Sequence, residues 1–333
     1  MASTQAHSQA DVVAPRGKSA LICGSVAFDT IMLFSDRFKN HILPEKIHML
    51  NVSFLVPQLR RERGGCAGNI AYGLQLLGDR GYAMATVGHD FGPYREWMTK
   101  NGVPTDYIKV IETEHTAQAF ITTDLDDNQI TAFHPGAMQS SHLNSVSDAR
   151  DIGIGIVAPD GRDGMIQHAE QFARAGIPFI FDPGQGLPMF GREELDTFVN
   201  AASWVAVNDY EWQMLQQKTG WGVRDVTERV KALIVTRGAN GSVIYTRDGE
   251  IEVPSARPLA VVDPTGCGDA YRAGLLHGLL RGLDWESTGR IASLMGAIKI
   301  ETRGPQNHRF TREEFDRRLA ENFGAAAGKR TGS

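Results

Sequence analysis

The sequence predicts an α/β fold: a mostly parallel central sheet covered on both faces by helices, with a small β insertion. Three observations predict it. From Ile152 to Ile300, short apolar runs alternate with stretches of helical periodicity, and strands separated by helices pair in parallel and bury both faces. A hairpin pattern lies between two such regions, so it projects from the main sheet. No repeat, low-complexity tract or linker divides the 333 residues, which read as one unit with ample length for a full core.

Taken in order, Ala20 to Val26 is a short apolar strand with a Gly24-Ser25 turn. His48 to Leu59 carries the β-branched and aromatic residues of a strand. It ends at Arg60-Arg61-Glu62-Arg63, read as a solvated run, and then Gly64-Gly65. Ile70, Leu74 and Leu77 mark a helix from Asn69 to Leu77, closed by Gly78. Tyr82 to Gly88 is a buried strand, and Tyr94 to Asn101 a short helix ending at Gly102. Ala117 to Thr123 and Gln129 to Phe133 flank Asp124-Leu125-Asp126-Asp127-Asn128 as a hairpin.

Regular alternation follows. Ile152–Ala158, Phe179–Asp182, Trp204–Asn208, Leu233–Thr236 and Ser242–Thr246 are strands. Met165–Ala175, Glu193–Ala202 and Tyr210–Lys218 are helices, and two more fill Ala270–Gly282 and Ser287–Ile300. Residues 1–17 and 326–333 read as disordered tails around a domain of residues 18–325; the first lacks the apolar block of a signal peptide.

Composition narrows the class of function. Charged residues make up 22% and apolar residues 42%, ordinary for a globular protein. The formal charge of −5 leaves no basic field to hold nucleic acid or an anionic membrane. No run approaches the ~18 apolar residues of a membrane span. Cys23, Cys66 and Cys267 are too few and too scattered for a disulfide framework or a paired metal site, and they suit a reducing cytoplasm.

The Walker pattern GxxxxGK[ST], HExxH and GxSxG are absent. Gly153-Ile154-Gly155-Ile156-Val157-Ala158 fits GxGxxA, but that pattern must follow a strand, and here it reads as the strand itself. The informative stretch is Asp263-Pro264-Thr265-Gly266-Cys267-Gly268-Asp269, preceded by the β-like run Leu259–Val262 and followed by a helix. Glycines beside a helix start let backbone N–H groups converge on a phosphate or a developing negative charge. Asp269, in the first turn, could take a proton from a hydroxyl nucleophile. It could equally be an acid that complements the helix dipole. The stretch alone supports both readings.

That stretch resembles the second signature of the ribokinase-like (PfkB) carbohydrate kinase family. Arg63-Gly64-Gly65-Cys66-Ala67-Gly68-Asn69 resembles the first signature, Asn208-Asp209-Tyr210-Glu211 is similar to the NxxE motif, and Thr236–Gly241 resembles the nucleotide-binding turn. The four occur in the family's order. Within the family the likeness is to bacterial adenosine and ribonucleoside kinases. Gly24–Asp29, Leu43-Pro44-Glu45, Ser53–Val56, Phe133–Met138 and Lys218–Trp221 carry it. The resemblance implies a ribokinase-like α/β/α sandwich with a β lid, its strands drawn from about residues 31–58 and 116–133.

It also implies ATP- and Mg²⁺-dependent phosphorylation of the 5′-hydroxyl of a purine ribonucleoside. Asp269 would be the base, and Gly266, Cys267 and Gly268 an anion hole built of backbone N–H groups. Asp29, Gly65 and Asn69 would hold the ribose, with Ser25 a weaker candidate. Gly65 would let the backbone approach the sugar, while Asn69 also suits a helix cap. Thr236, Gly238 and Gly241 would line the ATP site. Asn208 and Glu211 would organise water around Mg²⁺ and phosphate, although N-x-x-E is also a capping box. Phe133 would stack on the base or fill the lid core, and Gln185 could bond a base edge. Gly186 stands where relatives often carry a second glutamine, which leaves adenosine, inosine and guanosine all open. Some relatives bind K⁺ near Asp263, and no residue here decides that question. Lid edges could pair two subunits. The alternatives are a ribokinase- or fructokinase-like sugar kinase, or a regulator that binds nucleosides without catalysis.

Overall fold

Alternation along the strands splits the core in two. In β1 (Ser19–Cys23), Ala20 and Ile22 face one cluster of buried side chains while Leu21 and Cys23 face another. Opposite faces of one sheet therefore need separate helical covers. The computed structural model describes residues 18–42, 49, 51–126 and 128–324.

After β1 come β2 (Ala27–Leu33), β3 (Gln58–Gly64), α1 (Cys66–Leu76), β4 (Arg80–Gly88), α2 (Gly92–Lys100) and β5 (Ile108–Ile111). A hairpin of β6 (Ala117–Thr123) and β7 (Gln129–His134) follows. The next stretch holds β8 (Ile152–Val157), α3 (Arg162–Ala175), β9 (Phe179–Phe181), α4 (Arg192–Ala201), β10 (Trp204–Asn208), α5 (Asp209–Thr219), α6 (Val223–Thr227) and β11 (Ala232–Thr236). The described chain closes with β12 (Ser242–Thr246), β13 (Gly249–Val253), α7 (Cys267–Leu280), α8 (Trp285–Lys299) and α9 (Arg312–Phe323).

The main sheet runs β13-β12-β11-β10-β9-β8-β1-β4-β5, and only the β11-β12-β13 edge is antiparallel. Helices α1, α2, α7, α8 and α9 cover one face, and α3, α4, α5 and α6 the other. Helices α7 and α8 pack closely enough that a Cβ on Gly274 would collide with the Ala292 backbone. The smaller sheet, β3-β2-β6-β7, is the lid.

The expected α/β sandwich is present, with several local corrections. The lid strands begin earlier and end later than residues 31–58 suggest. Residues 51–57 carry no strand, and the supposed solvated run Arg60–Arg63 lies inside β3. Guanidinium groups do the packing there: Arg61 lies 3.6 Å above the Phe28 ring and bonds Asp90, and Arg63 sits 5.1 Å from the Trp97 ring. Leu259–Val262 is no strand either. Leu259 and Val261 are exposed, and Val262 and Asp263 both donate to the Ile300 carbonyl. Strands β5 and β13 and helix α9 were not expected, yet Arg247-Asp248, followed by Gly249, is a two-residue hairpin turn and Thr311/Glu314 a capping box. The tails, Leu43-Pro44-Glu45, His48 and Asp127 lie outside the described residues.

Candidate active site

Helix α7 starts at a left-handed residue. Gly266 has φ +82°, and a Cβ there would lie 2.7 Å from Pro305. The Cys267 N–H turns back to the Pro264 carbonyl at 3.1 Å, and regular helix bonding begins with Ala270 N–H to the Gly266 carbonyl. Among the described residues the N–H groups of Gly268 and Asp269 have no partner, at the positive end of a fourteen-residue helix. A Cβ on Gly268 would meet nothing within 4 Å, so the backbone there is open to an incoming oxygen. Burial pushes the Cys267 thiol up to about 11, so the side chain supplies no thiolate at neutral pH.

Asp269 Oδ2 accepts from Asn69 Nδ2 at 2.7 Å. Burial, reinforced by the charge of Asp182, pushes its carboxyl up to about 6, while Asn69, Arg272 and Cys66 act in the opposite sense. A carboxylate with that value is ionised at neutral pH and retains appreciable basicity. The Lys299 ammonium, fully buried, donates to the Asp263 carbonyl at 2.7 Å and the Thr302 carbonyl at 3.1 Å. The Asp263 carboxylate accepts from Thr265 N–H and Gly304 N–H, so the turn before α7 is anchored on both sides.

A cleft of about 350 Å³ runs from Asp269, Gly266 and Gly268 past Asp182 and Arg272 to Gln185, Asn208, Glu211 and Thr236. It opens at the carboxyl ends of β9, β10 and β11, where ligands bind in parallel sheets. Asn208 and Glu211 form the capping box of α5. Asn208 Oδ1 accepts from the Glu211 N–H at 2.7 Å, and Glu211 accepts from the Asn208 N–H at 2.8 Å and from Nδ2 at 2.9 Å. The cap and the cleft position coexist.

Asp29 lies on β2 in a lid row of Glu62, Asp29, Ala119 and Phe133, read across the four strands. Burial, followed by the charges of Glu62 and Asp263, pushes its carboxyl up to about 6. Glu62 of the same row accepts from Asn307 Nδ2 at 3.1 Å and abuts Gly304, whose N–H bonds Asp263, so this lid face turns towards the Asp263–Asp269 turn. Phe133 shares the face and is 48% exposed, which removes the lid-core alternative for its ring. Ser25 Oγ accepts from the Cys66 N–H at 3.2 Å. Gly65 has φ +84°, and a Cβ there would lie 2.6 Å from the Ser25 carbonyl and Ala27 nitrogen. Its lack of a side chain thus serves contact within the chain. Gly241 likewise closes the β11–β12 turn against the Val253 carbonyl, and neither it nor Gly238 lines the cleft.

Sequence reasoning missed Asp182, Arg272, Cys66, Lys299 and Gln306. Arg272 sits one turn beyond Asp269 on α7, and Asp182 follows β9, positions that motif and strand-end arguments could have marked. Nothing in the local sequence marks Lys299 or Gln306.

Among the described residues no helix is long and apolar enough to cross a membrane, and no cluster of three or more His, Cys, Asp or Glu side chains could hold a metal ion. A nucleoside kinase of Methanocaldococcus jannaschii is 34% identical over 278 residues, 83% of this chain and 91% of the relative. The solved structure of Burkholderia thailandensis nucleoside kinase with inosine is 53% identical, with a TM-score of 0.84 over 92% of this chain and 98% of that one. The same enzyme with ADP and inosine gives 54% and 0.82 over 92% and 96%. Residues 28–311 match the pfkB family carbohydrate kinase profile. With the ribokinase-like sandwich and its lid, these matches show that the chain belongs to the pfkB family of carbohydrate kinases, phosphotransferases with an alcohol acceptor.

Proposed function

We propose that the chain transfers the γ-phosphoryl group of ATP to the 5′-hydroxyl of a purine ribonucleoside. The observation that carries this reading is Asp269, aimed by Asn69 and one residue from the open N–H of Gly268. A hydroxyl against Asp269 and a phosphate against the start of α7 stand side by side, the arrangement phosphoryl transfer requires. Asp269 accepts the hydroxyl proton. The N–H groups of Gly268 and Asp269, with the Gly266–Cys267 turn beneath them, carry the charge of the transferring group.

The B. thailandensis enzyme, solved with inosine and with ADP and inosine, supports a purine nucleoside as acceptor. Asp29 offers two oxygens to the 2′- and 3′-hydroxyls, with Asn69 and the Ser25–Gly65 turn beside them. Phe133 stacks on the base and Gln185 meets its edge. Asn208 and Thr236 take the ATP phosphates and ribose, with the Gly238–Gly241 turn above. The donor set also fits a hydrated Mg²⁺. Both Glu211 oxygens are engaged by Asn208, so they reach the ion through its water shell, and burial next to Asp182 raises the Glu211 carboxyl, a site that favours added positive charge. Held there through water by Asn208 and Glu211, Mg²⁺ would supply positive charge to the ATP phosphates. The three free thiols suit a reducing cytoplasm. The outer lid row of Leu59, Met32, Thr122 and Ile130, with Leu59 64% exposed, suits contact with a second copy.

The test is ADP release with ATP and Mg²⁺ across adenosine, inosine, guanosine, cytidine, 2′-deoxyadenosine, ribose and fructose. Turnover of purine ribonucleosides is expected. Turnover of free sugars alone would replace this reading with a sugar kinase. Nucleoside binding without turnover would replace it with a regulator.

A further inference from the structure

A chain of hydrogen bonds behind Asp269 has its direction fixed from one end. The Gly64 carbonyl, last residue of lid strand β3, can only accept, so the Tyr94 hydroxyl donates to it at 2.9 Å. The Tyr94 oxygen then accepts from Gln306 Nε2. The other N–H of the same Gln306 nitrogen donates to Asn69 Oδ1 at 2.7 Å. With its oxygen thus engaged, Asn69 can turn only Nδ2 to Asp269, at 2.7 Å. Gln306 and Tyr94 are buried, at 3% and 0% exposure. Gln306 Oε1 is buried without a partner among the described residues, so the value of this amide here lies in its two donors. Room for the chain comes from Gly68, where a Cβ would strike the Tyr94 hydroxyl and lie 3.2 Å from Gln306 Nε2.

We propose that Gln306, braced by Tyr94, is a positioning residue for phosphoryl transfer that locks the Asn69 amide in its donor orientation towards Asp269 and ties that orientation to the end of the lid strand. The inference rests on Asp269 being the base. A donor facing Asp269 favours its carboxylate form and fixes which lone pair meets the hydroxyl. Without Gln306 the Asn69 amide can reverse and present Oδ1, which repels the carboxylate and raises its proton affinity. The other groups facing Asp269 are Asp182 beyond β9, Arg272 on α7 itself and the Cys66 thiol on α1, and the variants below leave all three in place.

The test compares Gln306→Met, Tyr94→Phe, Asn69→Leu and the Gln306→Met/Asn69→Leu double variant in the full chain, reading kcat against pH and the KM for ATP. Gln306→Met should lower kcat about 10- to 100-fold, the size of one lost hydrogen bond to a charged group. It should move the acidic limb to higher pH and leave the ATP KM unchanged. Asn69→Leu should cost as much, and adding Gln306→Met to it should cost nothing further, because the two act through one amide. Tyr94→Phe should shift the limb in the same direction by less. Wild-type kcat and acidic limb in Gln306→Met, or losses that multiply in the double variant, would overturn the proposal. If Gln306→Met fails to fold, an unshifted limb in Tyr94→Phe overturns it instead. Asp269→Asn separates the two readings: retained turnover removes the base itself, whereas lost turnover beside a wild-type Gln306→Met removes only the positioning role.

Discussion

Arg272 and Asp182 meet at two points in the floor of the cleft. Nη2 lies 3.0 Å from Oδ1 and Nε 3.1 Å from Oδ2, with both side chains buried. The same guanidinium faces Glu211 and Asp269, so one fixed cation balances three carboxylates. Such an ion is held by its partners rather than by water, and removing either side strands the other.

Replacing Arg272 by Met should therefore cost about 3–5 kcal/mol of stability, because the Asp182 carboxylate is left buried and uncompensated. It should also raise the acidic limb of kcat, since Arg272 holds the Asp269 carboxyl down. Urea unfolding and a pH–rate profile read the two effects separately. An unmoved limb would mean that Arg272 stabilises the cleft without tuning the base.

Asp269 carries a cost to stability of its own. Its carboxyl is raised from 3.8 to about 6 by burial, so the folded state binds the proton more tightly than the unfolded state does. The ionised form is then destabilising above about pH 6, and the penalty disappears as pH falls below 3.8. Asp269→Asn should abolish turnover and raise the melting midpoint at neutral pH, with the gain shrinking on acidification. A variant that melts below the wild type at neutral pH would contradict the desolvated, ionised state argued for this carboxyl.

Most of the sandwich was legible because its strands are apolar on both faces and its helices are spaced by Gly and Asn punctuation. The site was legible where residues are contiguous: Gly266 to Asp269 form one turn, and Asn208 and Glu211 form one cap. What stayed hidden depends on contacts between distant segments. The Asn69–Gln306 bond spans 237 positions, and Lys299 becomes a loop anchor only when α8 ends beneath Asp263. The lid misled for another reason. A strand can bury arginine stems against aromatic rings, here Phe28 on β2 and Trp97 on α2, so its sequence reads as a solvated run.

Lys299 bears on the question of a monovalent cation. Its ammonium already bonds the Asp263 and Thr302 carbonyls, the type of oxygen an alkali cation would seek, and it does so from a fully buried position. Turnover should therefore be the same in sodium and potassium buffers. Lys299→Met should lower kcat by loosening the turn ahead of α7, and ammonium or potassium ions should restore part of it. Potassium activation of the wild type would show that the ammonium does not serve as the cation of this turn.

Asp29 should give substrate binding a pH dependence distinct from that of the chemistry. Its carboxyl is raised from 3.8 to about 6 by burial and by Glu62 and Asp263. Only the ionised form accepts from two ribose hydroxyls at once, and each such bond to a charged group contributes about 1.5–3 kcal/mol. The nucleoside KM should therefore climb as pH falls through about 6, while the ATP KM stays level. A 2′-deoxynucleoside forfeits one of the two bonds, so its kcat/KM should trail the ribonucleoside by about 10- to 100-fold above that pH and by less below it. In Asp29→Asn the discrimination should be small and independent of pH, because an amide offers one acceptor in place of two. Equal kcat/KM for ribo- and deoxyribonucleosides in the wild type would move the ribose away from this carboxylate and leave Asp29 as a structural residue of lid strand β2.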